Sequence, residues 1–457
     1  MSNLNVVILA AGAGKRMRSS LPKVLHNLAG QPLLLHVINT ARLLLPSKIC
    51  VVIGYGSEIV QQSIVGEDLV WVMQKEQLGT GHALKQAQIH LDKDGLTLVL
   101  YGDVPLVGID TIRELIKKSQ ENYCALLTAM VEDPSGYGRI VRNSETKAIT
   151  AIVEQKDADI MQQSINEINT GVMLIPNVHL HGWLPKIQNN NMQHEYYLTD
   201  IIDMAVKQGI YVVSSQPENL WEIMGVNNKR QLAELERIYQ KEYANKLLDL
   251  GVSLADPARI DIRGKLVCGL DVEIDINCIF EGNVKLSDHV QIGPNCILKN
   301  VTVAVGSVVL PYSIIEDAEI GENCKIGPFA RIRPGTKLSS KVHIGNFVEV
   351  KNSQIALGSK ANHLSYIGDS VVGENVNIGA GTITCNYDGA NKYQTIIEDD
   401  VFIGSDTQLI APVKISKGST IGAGSTITRD TPEGALTLSR TKQVSHPEWK
   451  RPTKLNK

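Results

Sequence analysis

Residues 314–350 have the sequence IIEDAEIGENCKIGPFARIRPGTKLSSKVHIGNFVEV, in which every sixth residue is aliphatic. A period of six fits neither an amphipathic helix, at about 3.6 residues per turn, nor a plain strand, at about two. It is typical of a parallel β-helix, whose short strands each point one aliphatic residue inward. We expect fourteen such positions in unbroken register, of which only Thr302 is clearly polar. They are Val272, Cys278, Val284, Val290, Cys296, Thr302, Val308, Ile314, Ile320, Ile326, Ile332, Leu338, Ile344 and Val350.

The register of this repeat changes between Val350 and Ile397, and the period then continues from Ile397 to Ile427. We interpret the change as an insertion, which in a solenoid emerges as a loop. Loops are where binding and catalytic residues are concentrated. Six polar or aromatic residues lie in or beside this break. They are Lys351, His363, Tyr366, Asn386, Tyr387 and Lys392.

The first half of the chain has a different pattern. Residues 4–12, LNVVILAAG, predict a buried strand that runs into a glycine-containing loop. Apolar runs recur at 49–53, 69–73, 96–100 and 125–131, with helix-like segments between several of them. Strands that alternate with helices predict a mostly parallel sheet covered on both faces, with ligands at the carboxyl ends of the strands.

Composition excludes several classes of protein. The chain has 457 residues and a formal net charge of −3, which argues against a general nucleic-acid binder. It has no apolar run near the roughly 20 residues of a membrane-spanning helix, so we expect no membrane insertion. Seven cysteines without close pairs predict no disulfide framework and favour a reducing cytoplasm. Only four Phe and four Trp are present, so we expect a large part of the core to lack big aromatics.

Apolar residues at helical spacing between 232 and 247 predict one long helix. The expected fold is therefore an α/β Rossmann-like nucleotidyltransferase domain joined by a long helix to a left-handed parallel β-helix of hexapeptide repeats. The expected boundaries are 1–227 for the first domain, 228–250 for the linker helix, 251–429 for the β-helix and 430–457 for an extended tail.

Two segments of the first domain suggest phosphate chemistry. The loop LAAGAGKRM at 9–17, followed by Pro22-Lys23, lets backbone N–H groups approach phosphate oxygens beside the cations Arg16 and Lys23. Its spacing matches neither the dinucleotide fingerprint nor a Walker loop. Asp103 ends a predicted strand in Tyr-Gly-Asp, where a carboxylate suits Mg²⁺, although a lone Asp there is more commonly a helix cap.

In the β-helix, His363 lies near Arg333, Lys351 and Tyr366 in the sequence. An imidazole can take the proton that an amine loses when it is acylated. A lone histidine is more often structural or merely exposed. Glu349 is a candidate to orient the His363 ring.

Four segments together resemble the nucleoside-diphosphate-sugar pyrophosphorylases: the 9–23 loop, QKEQLGTGHA at 74–83, YGDVP at 101–105 and GYGR at 136–139. With NHLSY at 362–366 and NIGAG at 377–381, the whole chain resembles a bacterial family of bifunctional enzymes. These enzymes combine an N-acetylglucosamine-1-phosphate uridyltransferase with a glucosamine-1-phosphate acetyltransferase. The resemblance implies Mg²⁺, UTP and acetyl-CoA as cofactor and co-substrates, a homotrimer, and supply of UDP-N-acetylglucosamine to cell-wall and lipopolysaccharide synthesis.

The resemblance also implies site residues. Arg16 and Lys23 would be catalytic in uridyl transfer, His363 would be the general base of acetyl transfer, and Asp103 and Asn227 would bind the metal. Contacts to UTP and the nucleotide sugar are implied for Leu9, Ala10, Ala11, Gly12, Lys23, Gln74, Gly79, Thr80, Tyr101, Gly102, Asp103, Gly138, Glu154, Asn169 and Asn227. Acetyltransferase substrate contacts are implied for Arg333, Lys351, Tyr366 and Asn377, and acetyl-CoA contacts for Ala380, Asn386, Tyr387, Ser405, Ala423 and Arg440.

The sequence departs from the family at Lys15, where Thr is usual, and at Asn362, where Gly is frequent. Two other functions stay open. One is a single-function sugar nucleotidyltransferase whose β-helix only trimerises. The other is a non-enzymatic exchange-factor subunit, which would be expected to lack a complete phosphate loop, whereas this chain keeps Gly12 and Gly14 beside its cations.

Overall fold

The computed structural model describes residues 3–119, 123–452 and 454. The chain divides into two compact units, Met1–Tyr239 and Gln240–Lys457. The boundary falls within one continuous helix, Lys229–Asp249, at the place where the sequence predicted a single long helix.

The first unit is built on a nine-stranded sheet. Its strands are β1 Leu4–Leu9, β2 Lys48–Ile53, β3 Leu69–Met73, β4 Leu96–Tyr101, β5 Cys124–Met130, β6 Gly138–Arg142, β7 Ile149–Val153, β8 Glu167–Pro176 and β9 Val212–Ser215. The order is β9-β5-β8-β4-β1-β2-β3, with β6 paired to β8 and β7 paired to β6. The β4-β1-β2-β3 part is parallel, whereas β8 runs antiparallel to both β4 and β5.

Helices cover both faces of this sheet. They are α1 Leu33–Arg42, α2 Ser57–Ser63, α3 Thr80–Ala87, α4 Ile109–Lys118, α5 Ile160–Gln163, α6 Asn177–Trp183 and α7 Asp200–Lys207. Alternate residues of β1 point to opposite faces, so Val6 and Ile8 join one hydrophobic core while Val7 and Leu9 join another. A strand buried on both faces is a continuous apolar run, and this confirms the α/β prediction.

The second unit is a parallel β-helix with three faces. One face is an eleven-stranded sheet. Its strands are Ser253–Leu254, Glu273–Ile274, Gln291–Ile292, Val308–Val309, Lys325–Ile326, His343–Asn346, Lys360–His363, Asn377–Ile378, Phe402–Ile403, Thr420–Ile421 and Leu436–Thr437. Every pair in this sheet is parallel, because each strand adds one further coil in the same direction.

The other two faces share a fifteen-stranded sheet. In the first coils one long strand bends across both faces, as in Ile260–Cys268, Cys278–Leu286, Ile297–Val303 and Ile314–Ile320. Later coils use separate strands. These are Arg331–Ile332, Thr336–Leu338, Glu349–Lys351, Gln354–Ile355, Tyr366–Gly368, Ser370–Val372, Ile383–Cys385, Thr395–Ile397, Gln408–Ile410, Val413–Ile415 and Thr426–Ile427.

The interior of the β-helix is filled by two residues from each strand, two positions apart. In some pairs one residue is small, as in Ser353 with Ile355, and in others both are aliphatic, as in Val342 with Ile344. The serine hydroxyls donate to corner carbonyls, for example Ser359 Oγ to Gly373 O at 2.6 Å. Phe280 is the only aromatic residue in the described core cluster of this unit, which agrees with the expected lack of large aromatics.

The predicted register was wrong at three of the fourteen positions. Thr302, Val308 and Ile314 are not buried, and the residues that follow them, Val303, Val309 and Ile315, point inward instead. The cause is two successive coils that are each one residue shorter than three hexapeptides; the second, in which Ile314 pairs with Arg331, brings Ile320 back to an inward position. Arg331 pairs with Glu349, 18 positions on, but Ile297 pairs with Ile314, only 17 positions on.

The predicted insertion is also smaller than expected. Lys351, His363 and Tyr366 lie on or at the ends of regular strands, because Glu349 pairs with Tyr366, 17 positions on. The true insertion lies in the next coil, where Ile383 pairs with Gln408, 25 positions on. The extra residues form a small hairpin closed by a bridge between Tyr387 and Lys392.

Within the described ranges, no helix combines the length and the apolar character needed to cross a bilayer.

The buried aliphatic column predicts a measurable stability. Ile344→Ala removes a fully buried side chain and should lower the free energy of unfolding by about 2–5 kcal/mol, because a cavity is left in a close-packed interior. Ile396→Ala, at a position 37% exposed in the same unit, should cost less than about 1 kcal/mol. Urea unfolding followed by circular dichroism compares the two variants, and equal losses would contradict the inward assignment of Ile344.

Candidate functional site

A cleft of about 310 Å³ opens at the carboxyl ends of β1 and β4. It is lined by Leu9, Ala10, Ala11, Gly12, Lys23, Val24, Gln74, Gln77, Gly79, Thr80, Ala83, Tyr101, Asp103 and Glu195. Ten of the residues that the resemblance implied for UTP and the nucleotide sugar therefore line one cavity. Val24, Gln77, Ala83 and Glu195 were not predicted, although Gln77 and Ala83 belong to the 74–83 motif.

The glycine loop after β1 is shaped around Lys23. Gly14 has φ +61°, and a Cβ placed there would lie 2.6 Å from Lys23 Cβ. Lys23 thus packs against the backbone of Gly14, a position that cannot carry a side chain. Gly12, by contrast, faces open space in the cleft. The Lys15 side chain is exposed at the start of a 3-10 turn, Lys15–Met17, so this departure from the family does not change the cleft lining.

The cations and the proposed metal ligands form one cluster. The Lys23 ammonium forms an ion pair with Asp103 and donates a hydrogen bond to Asn227 Oδ1 at 3.2 Å. Arg16 Nη2 donates to the same amide oxygen at 3.0 Å. The carboxylate of Asp103 and the amide oxygen of Asn227 therefore converge on one positively charged atom, although the two residues are far apart in sequence.

The nucleotide motif at 74–83 packs tightly. Gln74 is buried at the end of β3, and its Nε2 donates to Gly79 O at 3.2 Å. Gly79 has φ +108°, and a Cβ there would lie 2.7 Å from Tyr196 O. Thr80 begins α3 and contacts the Tyr101 hydroxyl. Burial raises the pKa of Tyr101, and nearby Glu154 and Asp103 raise it further, so this phenol stays protonated.

A second set of predicted residues surrounds Glu154. Thr199 Oγ1 donates to Glu154 Oε1 at 3.1 Å, and burial raises the pKa of this carboxyl group. A Cβ on Gly138 would lie 3.4 Å from both Glu154 oxygens, so the absent side chain leaves the carboxylate accessible. Asn169 pairs with Gly138 across β8 and β6 and accepts a hydrogen bond from Gly171 N at 3.1 Å.

In the β-helix, the predicted phosphate-binding residues occupy neighbouring coils. Ile332 pairs with Val350, which places Arg333 beside Lys351. Arg333 Nη1 donates to Glu349 Oε1 at 2.6 Å. Glu349 therefore binds Arg333, and it does not orient His363 as we expected; within the described residues no hydrogen bond reaches the His363 ring. Tyr366 lies over Gly368, where any side chain would collide with the phenol.

His363 lies at the corner between two faces, at the end of its strand, and its side chain is exposed. Lys360 pairs with Asn377, so Ala380 takes the position of His363 in the next coil. Asp406 N donates to Ala380 O at 2.7 Å, and Gly424 N donates to Ser405 O at 2.8 Å. Arg440 then donates to Ala423 O at 3.1 Å. His363, Ala380, Ser405, Ala423 and Arg440 thus follow one corner of the β-helix.

The remaining acetyl-CoA candidates lie in the inserted hairpin. Asn386 is buried and its amide binds the carboxylate of Asp369, a residue that the sequence did not single out. Tyr387 is 61% exposed, and its hydroxyl donates to Gly389 O at 2.6 Å. Next to His363, the Asn362 Oδ1 atom is buried, and no donor reaches it among the described residues.

Comparison with known proteins supports this division of the chain. A MobA-like NTP transferase domain matches residues 6–171, a GMPPB C-terminal domain matches residues 262–344, and a bacterial transferase hexapeptide of six repeats matches residues 394–429. The bifunctional protein GlmU of Nitrosospira multiformis is 66% identical over 454 residues, 99% of each chain. The bifunctional protein GlmU of Nitrosomonas europaea is 63% identical over 456 residues, again 99% of each chain.

The chain belongs to the GlmU family. This confirms the resemblance found in the sequence and the prediction of a bifunctional enzyme, an acetyltransferase and a uridyltransferase on one GlmU chain. The single-function alternative is not favoured, because the likeness to GlmU proteins covers the β-helix as well as the first unit.

The packing behind the cleft gives a prediction about Gly171. It has φ +88°, and a Cβ there would collide with the Tyr101 ring. Gly171→Ala should therefore lower the free energy of unfolding of the first unit by about 2 kcal/mol, through backbone strain and overpacking. Gly182→Ala is the control, because this glycine lies in α6 with nothing within 4 Å, and it should be neutral or slightly stabilising. Thermal unfolding measures both, and an unchanged Gly171→Ala variant would show that the Tyr101 ring can move freely.

Proposed function

We propose that the β-helix acetylates glucosamine-1-phosphate with acetyl-CoA, and that the first unit then transfers UMP from UTP to the N-acetylglucosamine-1-phosphate formed. The products of the second reaction would be UDP-N-acetylglucosamine and pyrophosphate. The observation that carries this proposal is the convergence of Asp103 and Asn227 on the Lys23 ammonium, beside a glycine loop in a GlmU chain. Such a cluster suits a triphosphate and its metal.

Mg²⁺ fits the oxygen pair of this cluster. Asp103 and Asn227 present one carboxylate and one amide oxygen to a single cation, here the Lys23 ammonium. Within the described residues no group of three or more His, Cys, Asp or Glu side chains could hold a metal. Two protein oxygens suit Mg²⁺, which keeps waters and binds substrate phosphates. When bound, Mg²⁺ supplies charge neutralisation to the phosphates.

The side chains of this chain do the rest of uridyl transfer by positioning. The sugar-1-phosphate oxygen attacks the α-phosphorus of UTP in line, the bond to the β-phosphate oxygen breaks, and pyrophosphate leaves with its electron pair. The backbone of Ala11 and Gly12 lies against the phosphates, and Arg16 and Lys23 neutralise charge on them. Lys23 must leave Asp103 to do so. Gln74, Gly79 and Thr80 hold the uridine, and Gly138, Glu154 and Asn169 hold the sugar.

In acetyl transfer, His363 is the proposed general base. The substrate amine attacks the thioester carbonyl, its proton passes to the imidazole, and the CoA sulfur leaves when the tetrahedral intermediate collapses. The exposed ring at a corner is accessible to both substrates. Arg333 and Lys351 would bind the sugar phosphate, with Tyr366 and Asn377 on the sugar. Glu349, which binds Arg333, would fix the guanidinium in place.

The corner that begins at His363 supports the acetyl-CoA assignment. Ala380, Ser405 and Ala423 are small residues on successive coils, so the corner has room for a narrow chain such as the pantetheine arm. Arg440 at its end supplies a cation for the CoA phosphates. Asn386 and Tyr387 project from the hairpin inserted in the same coil as Ala380, which would add a wall to the groove.

A homotrimer is the proposed assembly. Tyr312, Phe329 and Phe347 stack along a neighbouring corner position with ring centroids 5.0 and 5.2 Å apart, and each is about half exposed, as is Leu364 beside His363. An exposed apolar column of this kind is typical of a surface covered by another protein chain. A second copy there would lie next to the proposed base.

We also propose a cytoplasmic location and a role in supplying cell-wall and lipopolysaccharide precursors.

Asp103→Asn tests the first activity. Loss of the carboxylate charge should reduce pyrophosphate release from UTP and N-acetylglucosamine-1-phosphate by on the order of 10²-fold or more, because the phosphate charge is no longer balanced through the metal. Release of CoA thiol from acetyl-CoA and glucosamine-1-phosphate should be unchanged. Asp110→Asn, at a side chain 91% exposed on α4, is the control and should affect neither assay. Full uridyl transfer by Asp103→Asn would remove this residue from the metal site.

His363→Ala tests the second activity and should give the opposite pattern. Acetyl transfer should fall by about 10²–10⁴-fold, the usual contribution of a general base, while uridyl transfer continues. His289→Ala is the matched control, since this histidine is exposed on another coil beside Asp271. The proposed base would be wrong if the His363→Ala variant kept full acetyl transfer. It would also be wrong if the wild-type chain released pyrophosphate but no CoA.

A further inference from the structure

The side-chain amide of Gln74 is held in one orientation. Its Nε2 donates to Gly79 O at 3.2 Å and lies 3.1 Å from His82 Nδ1. A backbone carbonyl only accepts hydrogen bonds, so the Gln74 nitrogen, and not its oxygen, must face Gly79. Both N–H groups of the amide are then used. No described residue donates to Gln74 Oε1, which leaves this oxygen as the free polar atom of a residue that lines the cleft.

This arrangement requires His82 to accept a hydrogen bond at Nδ1. The imidazole must therefore be neutral, with its proton on Nε2. The Gln86 side-chain amide lies 3.1 Å from that Nε2, and turning it to present its oxygen gives up only a long hydrogen bond of 3.4 Å from its nitrogen to His82 O. Gln86 can thus serve either tautomer, whereas Gln74 can pair with only one. His82 lies on α3 beside a second pocket, also of about 310 Å³, and does not line the nucleotide cleft.

We infer that His82 is a positioning residue that sets nucleobase specificity, because it holds the Gln74 amide with Oε1 free for the base. This inference rests on the proposed function, in which Gln74 contacts the uracil ring. An accepting oxygen matches the N3–H donor of uracil. Cytosine carries a lone pair at the same ring position, so the two acceptors would repel and each would lose a partner. Sites that bind a substrate N–H in this way reject analogues that lack it.

Three variants of His82 test the inference. His82→Leu removes the acceptor and keeps the apolar bulk, and His82→Ala gives the same prediction if the Leu variant does not fold. His82→Asn places Oδ1 the same number of bonds from the backbone as Nδ1 and should rescue. Gln86→Leu, which changes only the partner of Nε2, is the control. The kcat/KM values for UTP and for CTP, with N-acetylglucosamine-1-phosphate, give the selectivity.

We expect His82→Leu to lower the UTP-over-CTP selectivity by roughly tenfold, the usual effect of losing one hydrogen bond at a site. The loss should appear mainly in the KM for UTP, with kcat little changed, because the phosphate cluster is untouched. His82→Asn and Gln86→Leu should stay within about threefold of the wild type. In a Gln74→Met background, His82→Leu should have no further effect on selectivity, because the two residues act as one unit.

Two results would overturn the inference: unchanged selectivity in His82→Leu, or an equal loss in His82→Asn. Thermal unfolding of each variant, compared with that of the wild type, shows that its first unit is folded. Failure of the proposed function itself looks different, since the wild-type chain would then release no pyrophosphate from UTP at all.

Discussion

The parallel hydrogen bonding between successive coils governs the second unit. Each coil pairs with the next in a fixed register, so a side chain at one corner recurs directly beside its counterpart 17 or 18 positions on. The interior admits two residues per strand, each of them aliphatic or small. Residues that cannot point inward must lie on a face or at a corner, and corners carry His363, Ala380 and Ser405. The proposed acetyltransferase site is thus a product of coil geometry.

In the first unit, the equivalent constraint is the carboxyl edge of a parallel sheet. Strands β1 and β4 end side by side, which brings the glycine loop and Asp103 together. Lys23 then bridges Asp103 and Asn227 across the cleft. The ion pair gives each of these two opposite charges a partner where both side chains are largely buried. In the proposed function, a polyphosphate and its cation would offer each of them a new partner, so that binding would exchange one set of charge contacts for another.

The spacing of apolar residues predicted most of the fold, because it reflects which side chains face the core. That spacing is two residues along an ordinary strand and six residues along the β-helix. It failed at Thr302, Val308 and Ile314, because two successive coils each lack one residue. Loss of one residue shifts which positions of the repeat point inward. The residues at every sixth position nevertheless remain mostly aliphatic, so the sequence around the deletion carries no sign of the shift. Most predicted nucleotide residues fell in short motifs and do line one cleft. The Glu349–Arg333 pair was missed, since adjacency across coils depends on coil length. His82 was inside a recognised motif, but the role inferred for it follows from the orientation of the Gln74 amide, which only the three-dimensional structure shows.

The coil spacing also sets a scale for ligands. Neighbouring strands in a sheet are about 4.8 Å apart. Ala380, Ser405 and Ala423, which follow His363 on successive coils, therefore lie at regular intervals of about this distance. In the proposed function, a thioester at His363 and a charged group at Arg440 would be separated by a whole number of these coil spacings. The distance from His363 to Arg440 along this corner can change only when entire coils are added or removed. It therefore takes a small set of discrete values, and a ligand of fixed length fits only one number of coils.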